Sequence, residues 1–112
     1  MADTAQNWLT VPDVAAALDI PVTRVHQLLS DGALLAGRVD GVLKIPADFL
    51  GDGVIVKGLT GTITLLRDAG YDDEAALRWL YRPDDSLPGT PVQALVENRG
   101  TEVKRRAQAS AF

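Results

Sequence analysis

The chain has 112 residues, enough for one compact domain or for a small module with a packed extension. Apolar residues make up 46% and charged residues 23%, which is typical of a globular protein and excludes a disordered or collagen-like chain. Lys and Arg number 11 and Asp and Glu number 15, giving a formal net charge of −4, whereas DNA-binding domains are usually basic.

The absence of cysteine excludes a disulfide framework, a thiolate zinc site and a cysteine nucleophile. The first residues have neither the basic start nor the apolar run of a secretory signal. No stretch approaches the ~18 consecutive apolar residues that span a bilayer. We therefore expect a cytoplasmic protein without a membrane partner.

A helix is predicted directly after a flexible tail over residues 1–7. Thr10 is the expected N-cap, Pro12 fits the first turn, and Asp13 follows three residues after the cap. The apolar positions have the i, i+3, i+4, i+7 spacing of a helix buried on one side: Val11, Val14, Ala15 and Leu18.

A second short helix is predicted from Pro21 to Asp31, with Gly32 at the expected C-cap. Its residues predicted to face inward are Val22, Val25, Leu28 and Leu29. Two short helices joined by a turn of about three residues form a helix-turn-helix unit.

A β-hairpin is predicted after Gly32, because Asp40-Gly41 lies between two apolar runs and supplies the positive φ angles of a tight turn. A hairpin in this position is a wing. Pro46 ends its second strand, residues 47–53 indicate a helical turn and a Gly-rich break, and residues 54–58 indicate a short strand or an extended connector.

The remaining sequence is helical in character, with a loop over residues 82–91 indicated by its Pro, Gly and Asp content. Four helices are expected, with the caps Thr60, Asp72 or Asp73, Thr90 with Pro91, and Thr101. The first three are expected to stop at Gly70, Pro83 and Gly100.

The second helix offers candidate base-reading residues. At ~100° per residue, Thr23 and Gln27 point outward, with Arg24 and His26 on the flanks. Arg can pair with guanine and Gln with adenine through two hydrogen bonds, and Thr offers a hydroxyl or a methyl. The alternative is an ordinary surface helix, since such a helix often shows these residue types.

Other chemistry is not indicated. His26 is the sole histidine and lacks carboxylates at ligand spacing, so we predict no metal. Trp79 lies at helical spacing with Ala76 and Leu80, which favours a core position over a ligand cage. Nucleophile–base pairs, phosphate-binding glycine loops and paired catalytic carboxylates are not evident, so neither an enzyme nor a cofactor is expected.

The segment from Trp8 to Leu50 resembles the winged helix-turn-helix of excisionase-like and MerR-like DNA-binding domains. The shared features are a Leu-Thr start, an Ala-rich first helix, a Val-x-x-Leu-Leu second helix, a Gly-x-Leu exit and a hairpin that closes on Ile-Pro. This resemblance implies that the second helix enters the major groove and that Arg38 and Lys44 in the wing contact phosphates or the minor groove.

The chain departs from that pattern at two places. The wing tip is Asp40-Gly41-Val42 where family wings often carry Arg, and Pro21 replaces the common Ser or Thr cap of the second helix. The second half, including "GLTGTITLLRDAGYDDEAALRWLY", is similar to a small actinobacterial family of DNA-binding proteins with a helical C-terminal extension. The segment from Ala76 to Ala109, about a third of the chain, also resembles the C-terminal domain of antitoxins that pair with ADP-ribosylating toxins, in its Trp-Leu helix and Gly-Thr-Pro turn.

The expected fold is therefore mainly α with a small β-hairpin. Residues 8–50 form a winged helix-turn-helix and residues 51–112 a helical extension, packed on it or forming a dimer or partner surface.

Charge is distributed unevenly along the chain. Residues 1–50 hold three basic and six acidic side chains, and residues 51–86 hold four basic and seven acidic side chains. Residues 87–112 hold four basic and two acidic side chains. The basic cluster is Lys104, Arg105 and Arg106, which could contact the DNA backbone or form a solvated helix face.

These observations predict a DNA-binding protein, sequence-specific or architectural, that acts as a transcriptional regulator or as a nucleoid-associated factor. Its expected partner is double-stranded DNA. A homodimer or a protein partner would use the C-terminal helices. The alternative is a protein-interaction module in which the helical half binds another protein and the winged fold is a scaffold; the acidity of the chain favours this alternative.

Overall fold

The first half of the chain is built from a strand, two helices and a hairpin, in a computed structural model that describes residues 7–51, 53–83 and 89–110. The predicted tail lies outside these residues except for Asn7. In chain order the elements are β1 (Trp8–Thr10), α1 (Val11–Leu18), α2 (Val22–Ser30), β2 (Gly37–Val39) and β3 (Val42–Pro46).

Helix α1 begins with the predicted capping box. The Asp13 amide donates to Oγ1 of Thr10 at 3.2 Å, and the Thr10 amide donates to Oδ2 of Asp13 at 3.3 Å. The two residues thus satisfy each other's backbone donors. The helix ends at Leu18 as predicted, where Asp19 takes a left-handed φ of 57° and turns the chain toward α2.

Helix α2 is the second helix of the predicted pair, and Pro21 and Asp31 are its flanking residues. Val25 is fully buried, and Leu28 and Leu29 are half-buried against the core. The prediction that Val22 faces inward is wrong, because its side chain is 41% exposed. Val22 lies in the first turn, at the edge of the arc that contains Val25, so the core does not cover it.

The sheet has three antiparallel strands in the order β1-β3-β2. Asp40 and Gly41 have φ angles of 54° and 78°, which confirms the predicted tight turn between β2 and β3. Strand β1 was not predicted, since three residues directly before a helix cap are too few to show alternation. It pairs Leu9 with Ile45 and so closes the sheet on the other side of β3.

The second half is helical except for one small hairpin. Its elements are a 3-10 turn (Ala47–Phe49), β4 (Leu50–Gly51), β5 (Val54–Ile55), α3 (Leu59–Asp68), α4 (Asp73–Tyr81), α5 (Pro91–Val96) and α6 (Gly100–Ser110). Strands β4 and β5 pair as an antiparallel two-stranded sheet. The predicted loop over residues 82–91 falls partly on residues 84–88, outside the described residues.

Two predicted caps are confirmed in this half. Asp72 accepts the Ala75 amide at 2.8 Å at the start of α4, and Thr90 accepts the Gln93 amide at 3.2 Å at the start of α5. These side-chain oxygens satisfy backbone donors that have no partner within the helix.

The predicted cap at Thr60 is wrong, because α3 begins at Leu59 with Gly58 as its N-cap, so Thr60 lies inside the first turn. The boundary predicted at Gly100 and Thr101 is also wrong. Helix α5 ends at Val96, Asn98 adopts the left-handed φ of 64° expected of a terminating glycine, and Gly100 begins α6. Asn tolerates this backbone region better than most residues, so it can replace glycine at a helix end.

One core joins the two halves and confirms a mainly α fold with a small β-hairpin. Trp79 is partly buried and packs against this core, and the ring centroid of Tyr81 lies 6.4 Å from that of Phe49, with the two rings tilted by 31°. The largest fully buried side chains come from both halves: Leu34, Leu35, Ile45, Phe49, Leu59, Ile63, Leu66, Leu80 and Leu95. The helical half therefore packs against the helix pair and the hairpin through a shared core.

Candidate nucleic-acid interface

The outer face of α2 presents the predicted base-reading side chains to solvent. Thr23, Arg24, His26 and Gln27 are all exposed, and no Asp or Glu occurs between Val22 and Ser30. The buried Val25 on the opposite side fixes which face is outward. The structure thus brings these four residues together on one accessible surface.

Arg24 and Gln27 are joined by a hydrogen bond. Nη1 of Arg24 donates to Oε1 of Gln27 at 2.9 Å, across one helical turn. The bond uses one donor of the guanidinium and leaves the amide nitrogen of Gln27 directed to other acceptors. The two side chains therefore form one hydrogen-bonding unit on the surface of α2.

Ser30 is a candidate that the sequence reasoning missed. It is exposed in the last turn of α2 and follows Thr23 and Gln27 at the i, i+4, i+7 spacing of a single helical stripe. That spacing was available in the sequence, and extending the outward stripe by one turn would have found it. Val22 is likewise exposed, at the other end of the helix.

The two helices of the pair begin differently. Thr10 and Asp13 cap α1, whereas Pro21 stands at the N-cap of α2, where no described side chain accepts a hydrogen bond from the first amides. The first amides of α2 are consequently open to hydrogen-bond acceptors from outside the helix.

The hairpin places its two cations on opposite faces of the sheet. Arg38 pairs in register with Leu43, and Lys44 pairs with Gly37 and Thr10. Residues directly opposite share a face and neighbours along a strand alternate, so Arg38 and Lys44 point to opposite sides. Arg38 is exposed and donates from Nη1 to the Gly41 carbonyl at 3.4 Å, while Lys44 is half-buried.

The basic cluster of α6 is spread around its helix. Val103 and Ala107 are buried and define its inner side. At ~100° per residue, Lys104 and Arg106 then lie on opposite flanks and Arg105 lies on the outer side. Consecutive cations on a helix do not form one patch.

Lys104 is the member of this cluster that lies against α3. A Cβ added at Gly61 would be 3.0 Å from Cε of Lys104, so the glycine allows the lysine stem to lie on the helix. In the adjacent position, Oγ1 of Thr60 donates to the Ala33 carbonyl at 3.1 Å. Ala33 is the third residue after Ser30, the end of α2, so α3 contacts the segment that follows that helix.

The described residues also indicate what the chain offers as metal ligands and as perturbed titratable groups. They contain no group of three His, Asp or Glu side chains placed to hold a metal ion. Burial and the nearby Asp48 carboxylate raise the pKa of Tyr81 above its ordinary value of 10.0, and the Tyr81 hydroxyl donates to Oδ2 of Asp48 at 3.0 Å. Among the helices that the structure describes, none combines the length and the hydropathy needed to span a bilayer.

Family models match both halves of the chain. Residues 1–50 match the model described as "DNA-binding protein Rv2175c, wHTH domain". Residues 56–111 match the model described as "Rv2175c C-terminal domain of unknown function". The two matches are consecutive along the chain and cover both the helix pair with its hairpin and the helical half.

A relative and a solved structure agree with these matches. The chain is 42% identical, over a 123-residue alignment, to the DNA-binding protein Rv2175c of Mycobacterium tuberculosis (strain ATCC 25618 / H37Rv), covering 98% of this chain and 84% of the relative. It superimposes on the NMR structure of Rv2175c with a TM-score of 0.87 at 39% identity, covering 95% of this chain and 82% of the other. The winged helix-turn-helix and the actinobacterial resemblance are thereby confirmed.

Proposed function

This chain belongs to the Rv2175c family, and from that premise we propose that it binds double-stranded DNA with α2 in the major groove. The observation that carries the proposal is the outer face of α2, where Thr23, Arg24, His26 and Gln27 are exposed together. The major groove of B-DNA admits one α-helix, and in helix-turn-helix proteins the first residues of the second helix contact base edges.

The side chains on this face suit base reading. The Arg24 fork can donate to O6 and N7 of guanine, and Gln27 can pair with adenine when its carbonyl oxygen is available. In the free protein that oxygen accepts from Arg24 at 2.9 Å. Gln27 therefore presents its amide donors first, which favours a base edge rich in acceptors, such as guanine.

Affinity depends on the phosphates, and the net charge of −4 opposes it. The chain compensates locally, because α2 carries cationic Arg24 and no acidic residue. We propose that Lys104 adds a backbone contact beyond the C-terminal end of α2, since it lies across Gly61 next to Thr60. Arg105 and Arg106 point elsewhere and are weaker candidates.

In the wing, Arg38 is the stronger candidate for a phosphate contact. It is exposed near the hairpin turn, whereas Lys44 is half-buried on the opposite face of the sheet. A wing with Asp40 at its tip offers no basic finger for the minor groove. We therefore propose backbone contact by Arg38 without base reading by the wing.

The experiment is a salt series of binding to mixed-sequence and selected duplexes by the full chain. We expect Arg24→Ala to weaken binding and Gln27→Ala to reduce sequence preference by about 1–3 kcal/mol at one base pair. Arg82→Ala, which removes an exposed cation outside α2, the wing and α6, is the control. Absence of DNA binding at low salt, or an effect of Arg82→Ala equal to that of Arg24→Ala, would contradict the proposal.

Lys104 is tested against its neighbour. Loss of one phosphate contact lowers the slope of log affinity against log salt by about 1. We expect that reduction in Lys104→Gln and not in Arg105→Gln, although both variants lose the same charge. Equal reductions in the two variants would show that α6 acts only through net charge.

We further propose that the DNA-binding protein acts at the chromosome as a transcriptional regulator. One winged module reads few base pairs, so useful specificity calls for two copies on paired half-sites, joined through the C-terminal helices. Analytical ultracentrifugation of the protein with a selected site should give two chains per duplex. A stoichiometry of one on every selected site would contradict the paired arrangement.

A second candidate function is the binding of a protein partner by the helical half. The acidity of residues 51–86, with seven acidic and four basic side chains, favours it, because DNA repels a segment of net negative charge. This candidate predicts DNA binding that is weak and indifferent to Arg24→Ala. The salt series therefore distinguishes the two functions.

A further inference from the structure

The chain segment that leaves α2 is held by α3. Gly32 is buried with a φ of 78°, and a Cβ added there would be 2.7 Å from Nη1 and 3.2 Å from Cζ of Arg67. The Arg67 guanidinium therefore lies directly on the Gly32 backbone. One residue later, Oγ1 of Thr60 donates to the Ala33 carbonyl at 3.1 Å. Helix α3 thus contacts the exit of α2 at two successive residues.

Arg67 is itself held from its other side. Its Nη2 lies 2.8 Å from Oδ1 of Asp73, the first residue of α4. The two side chains are 34% and 54% exposed, and an ion pair with that much exposure contributes little to stability. The pair does fix where the guanidinium lies, because the planar fork of arginine is held in one orientation by a hydrogen-bonded carboxylate.

We propose that Arg67, oriented by Asp73, is a positioning residue for α2, setting the direction in which that helix is presented. The inference rests on the proposed function, in which α2 enters the major groove. Side chains that read a ligand must be held to within about 0.5 Å by the residues behind them. Gly32 and Ala33 are the first link between α2 and the body of the protein on its C-terminal side, so a shift there moves the whole outer face.

Two simpler roles predict different results. If Arg67 contacted phosphate, its loss would lower the salt dependence of binding by about one contact. If Asp73 were only one more negative charge near DNA, removing that charge would strengthen binding, as for any acidic residue. Positioning predicts weaker binding on removal of Asp73, opposite in sign to the electrostatic effect.

The experiment compares Asp73→Asn with Asp68→Asn in the full chain. Both variants lose one negative charge, but Asp68 is an exposed residue at the end of α3, outside the contact with Arg67. We expect Asp73→Asn to weaken binding to a selected duplex between about twofold and thirtyfold, with the salt slope unchanged. Asp68→Asn should leave affinity unchanged or raise it. Asp73→Asn binding as tightly as the parent protein would overturn the inference.

A second measurement is independent of DNA. Amide hydrogen exchange should become faster at residues 32–34 in Asp73→Asn and in Arg67→Ala, and stay unchanged at Ile63 in the middle of α3. Unchanged exchange at residues 32–34 would overturn the inference even in a protein that bound no DNA. A parent protein that fails to bind DNA, with faster exchange in the variants, would instead refute the proposed function and leave Arg67 as the residue that orders this segment.

Discussion

Helix α2 exposes one cation, Arg24, and α6 exposes three, Lys104, Arg105 and Arg106, in different surroundings. On α2, Arg24 lies beside the polar side chains of Thr23 and Gln27 on one outward arc. On α6, three cations follow one another in the sequence and therefore point in three directions. The contrast teaches that spacing of three or four residues, rather than a run of charges, makes a binding face on a helix.

The largest expected effect comes from truncating the buried valine that packs each of the two helices against the core. Val25 in α2 and Val103 in α6 are both fully buried. Truncation of either to Ala should cost about 2 kcal/mol of unfolding free energy, from lost apolar burial and the cavity left behind. We expect Val25→Ala also to weaken DNA binding at a temperature where both variants stay folded, and Val103→Ala to have a smaller effect.

Chemical denaturation and binding isotherms of the two variants check this prediction. Their matched loss of stability makes each the control for the other. If both variants lost equal amounts of DNA affinity, α2 would contribute no more to DNA binding than α6 does, and the proposed contrast would be wrong.

Helix α1, which packs on α2, can be destabilised at its N-terminal cap without changing the outer face of α2. Thr10→Ala removes the side chain that caps α1, and we expect a loss of about 1 kcal/mol in unfolding free energy. Thr10→Ser retains the hydroxyl oxygen and should lose much less. Thermal unfolding of the two variants measures the difference; equal losses would mean that the methyl group of Thr10 matters and its cap does not.

We expect the link between the two halves to weaken at alkaline pH. Tyr81 in α4 donates to Asp48 in the 3-10 turn, and its raised pKa means that the folded state favours the neutral phenol. Stability from this group is full below about pH 10 and falls as the pH rises above that value, because the unfolded phenol ionises first. Tyr81→Phe should therefore be less stable by about 1 kcal/mol near neutral pH, from loss of the hydrogen bond.

Above about pH 10 the difference between Tyr81→Phe and the parent protein should shrink, since phenylalanine does not ionise. Denaturation at a series of pH values follows this change. A stability difference that stays constant from neutral to alkaline pH would show that Tyr81 ionises as readily in the folded protein as in the unfolded chain.

The sequence predicted those features that depend on neighbouring residues. The Thr10–Asp13 cap, the Asp40-Gly41 turn and the exposure of Arg24 and Gln27 each follow from residues within a few positions of one another. Strand β1 was missed because it exists through pairing with β3, more than thirty residues away. Thr60 was misassigned as a cap because its hydroxyl bonds to Ala33, a partner that only the tertiary fold supplies.

The candidate interface was also predicted only where it depends on residues close together in the sequence. Helical spacing sufficed for the face of α2, but the separation of Arg38 from Lys44 depends on strand register, and the place of Lys104 depends on the packing of α6 on α3. The contact of Arg67 with Gly32 joins residues on different elements through a backbone that has no side chain. Local sequence patterns carry no sign of it.

The smallest expected effect comes from adding one cation to α6 so that two cations lie on the same flank of that helix. Gln108 follows Lys104 by four residues and is exposed, so Gln108→Lys places a second cation on the same flank. Ala109→Lys adds the same charge in line with Arg105, on the side opposite Val103 and Ala107. Because a run of phosphates is met by cations on one flank, we expect Gln108→Lys to steepen the salt dependence of DNA binding by about 1 and Ala109→Lys to leave it unchanged. Salt titrations of the two variants measure this directly, and equal steepening in both would mean that α6 attracts DNA by its total charge, whatever its arrangement.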